Sequence, residues 1–142
     1  MNEKHMQSLF GNYLKKNPPN CSEVYELKYT KGTSIPFANI KEHQAKALLD
    51  AEENSLYHKI SDPPVFYGMN TRFNAKRPFD CFCLVNVKSF VVVWFYTPRQ
   101  RKLFIKIGIK TFLKLKENSD RKSFTEKMAI DASTKVINIS EK

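Results

Sequence analysis

Residues 24–44 read VYELKYTKGTSIPFANIKEHQ. Their pattern predicts a β-strand, a polar turn at Lys31-Gly32-Thr33, a second extended piece and the start of a helix. Successive strand side chains point to opposite faces, so Glu26 and Lys28 share a face about 7 Å apart, while Tyr25 and Leu27 point the other way. An apolar core takes neither a lone carboxylate nor a lone ammonium. The pair is therefore solvated, mutually satisfied or functional. A carboxylate can hold Mg²⁺ through oxygen, and a neighbouring ammonium can orient a water or a scissile phosphate. The triplet Glu-x-Lys also recurs by chance, and its plain alternative is a solvent-facing strand edge with an ion pair.

Outward from this stretch, Met6, Leu9, Phe10, Tyr13 and Leu14 fall at helical spacing over residues 5–16, and Asn17-Pro18-Pro19-Asn20 ends that helix. A helix over 40–53 follows the central stretch, with Ala45, Leu48 and Leu49 facing inward, then a strand over 55–60. Residues 61–79 hold Pro63, Pro64, Gly68 and Asn70, which predicts a long functional or mobile connection. Strands are expected at 80–84, 89–96 and 103–107. The run FVVVWFY at 90–96 has no charged residue and is β-branched and aromatic, as suits a central strand buried on both faces. A helix is expected at 111–116, and the capping-box pattern Ser123-x-x-Glu126 predicts a last short helix. The order predicts a single domain over 1–142 of α/β class, with a central mixed sheet flanked by helices.

A chain of 142 residues suits one modest core, and its formal charge of +10 points to a polyanionic partner, nucleic acid or an anionic membrane surface. No apolar run approaches the ~20 residues of a membrane span. The opening MNEKHMQSLF has no apolar signal-peptide core, so a cytoplasmic location is expected. Cys21, Cys81 and Cys83 cannot all pair within the chain, and they read as small buried thiols rather than as a metal site.

The stretch YELKYTKGTSIPFANIKEHQAKAL at 25–48 resembles the core of RecU-type Holliday junction resolvases of the PD-(D/E)xK nuclease superfamily. The Glu-x-Lys strand, the Lys/Thr turn, the Phe-Pro-like piece and the His-Gln pair at a helix start stand in the family's order. NSDRKSF at 118–124 is similar to the family's Arg-Lys-Ser stretch. The resemblance covers about a quarter of the chain and implies a restriction-endonuclease-like core. It also implies a Mg²⁺-dependent endonuclease, with Mn²⁺ as a substitute, that cuts branched or duplex DNA as a homodimer and fits a phage-encoded recombination protein. By motif, Glu26 would be a metal ligand, with the backbone of Leu27 beside it. Lys28 would position water or stabilise charge on phosphate, and Gln44 would lie at the site from the helix start. His43 reads as a rim residue, and Gln7, or Glu3 a turn earlier, lies in the first helix, where the family often has an acid.

The family's upstream Asp is absent. Two residues are expected to replace it. Asp80 in RPFDCF is the first choice if its strand pairs beside Glu26, although an Asp at a strand start also serves as a turn residue. Glu23 is second, since it points away from Glu26 unless a bulge intervenes.

Nine Lys/Arg lie between residues 97 and 122 against Glu117 and Asp120, a footprint for a phosphate backbone. Lys31, Arg99, Arg101, Lys102, Arg121 and Lys122 are candidate DNA contacts, as are Arg72, Lys76 and Arg77 of the long connection. Those last three, with Phe66, Tyr67 and Phe73, could grip a branch point or anchor the segment to the core. Two other functions stay open: a nicking or restriction-like nuclease, and a DNA-binding protein with a degenerate nuclease site.

Overall fold

The apolar run at 90–96 sits in the middle of the sheet, as its composition predicts. The computed structural model describes residues 2–59 and 80–139. In chain order its elements are α1 (Glu3–Lys16), β1 (Glu23–Thr30), β2 (Ser34–Pro36), a 3-10 turn (Phe37–Asn39), α2 (Glu42–Glu53), β3 (Leu56–Lys59), β4 (Cys81–Leu84), β5 (Lys88–Phe95), β6 (Lys102–Gly108), α3 (Ile109–Asn118), β7 (Ser123–Thr125), α4 (Glu126–Ala132) and β8 (Lys135–Ile139). β5 is buried from Ser89 to Phe95 because it has a strand on each side and helices on both faces.

The main sheet runs β1-β5-β6-β8. β1 and β5 are parallel, with Glu26 opposite Val91 and Lys28 opposite Val93. β6 is antiparallel to both β5 and β8. The mixed sheet divides the core in two. On one face Met6 and Phe10 of α1 pack with Phe90, Val92, Trp94, Phe104 and Ile137. On the other, Val91, Val93, Phe95, Ile105 and Ile107 meet Leu48 of α2, Ile109 and Phe112 of α3, and Ala129 of α4. This alternation along β5 is the two-residue strand period made visible.

Several local expectations shift. The last helix is capped by Thr125, whose hydroxyl accepts from Met128 N, while Ser123 lies in β7 opposite Pro36. The ladder with β2 claims Ser123 for a strand, so it cannot cap. β8 was not expected: KVINI carries a Lys and an Asn, and only the exposed setting of a sheet edge makes that acceptable. The three cysteines are exposed rather than buried. Cys81 and Cys83 lie on β4, which among the described residues pairs with β3 in a two-stranded ribbon separate from the main sheet. Phe95 belongs to the core. No described helix is long and apolar enough to cross a membrane.

Candidate functional site

β1 is the outer strand of its sheet, and its even-numbered side chains face the α2 layer. Val24 packs there against the core, and Glu26 and Lys28 follow at the rim. Lys28 Nζ lies 2.8 Å from Glu26 Oε1, with side chains 19% and 24% exposed. The pair is thus half sheltered, and both ends remain within reach of a ligand. Gln44 comes from the first turn of α2. Its Nε2 donates to the same Glu26 Oε1 at 2.8 Å, and its Oε1 accepts from Lys41 N at 3.0 Å. One amide therefore caps the helix and fixes the carboxylate. Glu26, Lys28 and Gln44, the three residues grouped by motif, converge on one oxygen.

The backbone adds an oxygen. Ser22 O accepts from Lys88 N and Thr30 O accepts from Tyr96 N. Along the unbroken ladder between them, even-numbered carbonyls of β1 point into β5 and odd-numbered ones point away. The Leu27 carbonyl is therefore directed outward, next to the Glu26 side chain. A carboxylate and a carbonyl form an oxygen-only set, which suits a hard cation such as Mg²⁺ completed by water and phosphate oxygens. Among the described residues no group of three or more His, Cys, Asp or Glu side chains could hold a metal. Among the described residues, the groups at this position that could serve such a cation are the Glu26 carboxylate and the Leu27 carbonyl.

Neither replacement for the missing Asp takes the expected place. Asp80 precedes β4, and β4 pairs with β3, not with β1. The strand beside β1 is β5, which presents Val91 and Val93 opposite Glu26 and Lys28. Glu23 stands on the other face, without a bulge to turn it. It is only 9% exposed and meets Lys106 Nζ at 2.6 Å, and it also accepts a hydrogen bond from Tyr25 Oη. Gln7 is carried by α1, which covers that same opposite face.

Burial pushes the Glu23 carboxyl up, but hydrogen bonds from Lys106 and Tyr25 and the charges of Lys106 and Lys88 outweigh it, leaving a net depression. The Tyr25 hydroxyl is raised by burial, then by its hydrogen bond to Glu23 and by that residue's charge. A depressed carboxyl adds stability above its ordinary value of 4.5, lost as pH falls through the folded value. A raised phenol adds stability below its ordinary 10.0, lost as pH climbs past it. Melting temperature against pH is therefore expected to fall at both ends. Tyr25→Phe should flatten the alkaline limb above about pH 10, and an unchanged limb would contradict the assignment.

The basic residues do not form one patch. Lys106 is committed to Glu23, and Lys110 lies 3.4 Å from Glu53. Lys114 and Lys116 lie along α3, and the remaining candidates gather near the C-terminal end of β1. Because β1 and β5 are parallel, the turn holding Lys31 and the turn holding Arg99 and Arg101 leave the same end of the sheet, and β6 starts there with Lys102. Phe37 N donates to Lys122 O at 3.0 Å, which holds Arg121 and Lys122 beside the segment leading into α2. Six candidate DNA contacts thus lie on the two strand ends and the turn that border Glu26, Lys28 and Gln44. Arg72, Lys76 and Arg77 lie outside the described residues. Comparison with known protein families, curated proteins and solved structures finds no match to this chain.

Proposed function

We propose that the chain is a metal-dependent DNA endonuclease that cuts branched DNA. The observation that carries this reading is the convergence of Lys28 and Gln44 on Glu26 Oε1 beside the outward Leu27 carbonyl. A solvated strand edge with a casual ion pair needs no amide delivered from a separate helix. Glu26 and the Leu27 carbonyl would hold Mg²⁺, which when bound supplies charge neutralisation at the phosphoryl oxygens and a nucleophile at neutral pH. Lys28 places its ammonium where it can meet negative charge growing on the phosphate. Gln44 keeps the carboxylate from rotating, so its second oxygen stays available. The basic turns at Lys31, Arg99–Lys102 and Arg121–Lys122 would bind the backbone on either side of the cut. The resemblance of residues 25–48 to RecU-type resolvases supports a four-way junction as substrate. Paired cuts in such a junction call for a homodimer.

A second reading has its own support. β5 offers only valines beside the pair, so a chain with this fold could bind branched DNA without cutting it. One experiment separates the readings. A labelled four-way junction and a linear duplex with the same arm sequence are incubated with the full chain and Mg²⁺, with and without chelator. The expected result is junction cleavage only with the metal, lowered roughly a hundredfold in Lys28→Ala. Equal cutting of the duplex would indicate a nicking or restriction-like enzyme. Junction binding with no product under any metal would establish the binding-only alternative.

A further inference from the structure

The opposite end of the sheet from the basic turns carries a feature that the nuclease reading does not use. There β5 begins, β6 ends and α3 starts. Phe90 pairs with Gly108, and Gly108 is the N-cap of α3 with no side-chain hydrogen bond to the first turn. The amides of Ile109, Lys110 and Thr111 therefore have no side-chain cap. A helix start of this kind carries about half a positive charge and favours an anion.

A second observation points to the same place. Ser89 is 1% exposed, and its Oγ has no hydrogen-bond partner. Buried hydroxyls are nearly always satisfied, so an orphan needs a reason. Val91 and Val93 face the layer that contains α2 and α3, and Ser89 shares their parity on β5, so it lies on that same face. Ser89, Gly108 and the first residues of α3 line a cavity of about 320 Å³ together with Lys88 and Thr134. A Cβ on Gly108 would stand 3.9 Å from Thr111 Oγ1 and 4.0 Å from Thr134 Oγ1, so both hydroxyls border the space its absence leaves.

We propose that this cavity binds a phosphate-sized oxyanion, held by the first-turn amides of α3, Ser89 Oγ and the ammonium of Lys88. Glu23 and Glu52 also border the cavity. Lys106 already offsets the first, Lys88 matches the second, and Lys110 is engaged with Glu53 at the surface. The side-chain charges therefore cancel, and the helix start supplies the positive surplus. The ligand chemistry is a phosphoryl group, carried either by free inorganic phosphate or by a nucleic-acid backbone. The site stands independently of any chemistry at Glu26.

The test follows the amide resonances of residues 109–111 in the isotopically labelled full chain. Sodium phosphate is titrated against sodium chloride at equal ionic strength, and a single-stranded oligonucleotide is added in a separate arm. Saturable shifts with inorganic phosphate assign the free anion; shifts with the oligonucleotide alone assign the nucleic-acid backbone. Ser89→Ala should weaken binding about tenfold by removing one hydrogen bond to a charged group. Because the hydroxyl is unpartnered, that variant should melt at or above wild type in phosphate-free buffer, which verifies its fold. Shifts no larger than with chloride, or equal affinity in Ser89→Ala, would overturn the proposal and leave a cavity that holds water only.

Discussion

Glu26→Gln should abolish junction cleavage while leaving junction binding intact or tighter. The substitution keeps the shape of the side chain, and the new amide oxygen can still accept from Gln44 and Lys28, so the fold is retained. What it removes is the negative charge, and with it the only carboxylate that faces this part of the α2 layer from β1. The expected loss in single-turnover cleavage is on the order of a thousandfold or more, the scale seen when a charge-stabilising group is deleted from a preorganised site. Binding should move the other way, because a negative charge beside the DNA backbone is gone. Gel-shift titration beside cleavage measures both. Wild-type cleavage by this variant would remove Glu26 from the chemistry and reduce the trio to a clamp between strand and helix.

Phe124→Ala should be the most damaging change to stability. The ring is fully buried and lies 5.2 Å from Phe37, 5.7 Å from Phe112 and 6.2 Å from Phe95 by ring centroids. It joins the 3-10 turn before α2, the helix α3 and the central strand at one point. Truncating a buried Phe costs about 3–5 kcal/mol through lost transfer energy and the cavity left behind. Set against a total of about 5–15 kcal/mol, that is a large fraction. For a chain of this size it corresponds to a melting temperature roughly 10–20 °C lower. Phe124→Leu, which refills most of the space, should lose much less. A melting curve for Phe124→Ala within a few degrees of wild type would show that the site collapses without penalty, contrary to the packing.

What the sequence reveals and what it hides separates along physical lines. The strand at Glu26 and Lys28 and the buried strand at 90–96 are legible because side-chain period and apolar content are local properties. The approach of Gln44 to Glu26 is foreseen only through the resemblance of residues 25–48. Partner choice between strands is not local. Nothing in CFCL says that it pairs with LYHK rather than with β1, so the expected place of Asp80 fails. Nothing near Glu23 says that Lys106 will neutralise it, since that lysine arrives with a strand far down the chain. The strand KVINI is hidden for the opposite reason: an edge strand tolerates polar residues, so its pattern is weak. Ser89 gives no signal at all in a sequence, because an unpartnered hydroxyl is defined only by what surrounds it.

The parallel ladder between β1 and β5 bears on how the molecule is made. A ribosome delivers Glu26, Lys28 and Gln44 early, yet the strand that carries two of them has no neighbour in its sheet until Phe95 has emerged from the exit tunnel. Any polypeptide cut short before that point holds Glu26, Lys28 and Gln44 without the strand pairing that places β1 in its sheet. The geometry of the trio is therefore set when β5 is made, and not when Glu26, Lys28 and Gln44 themselves appear.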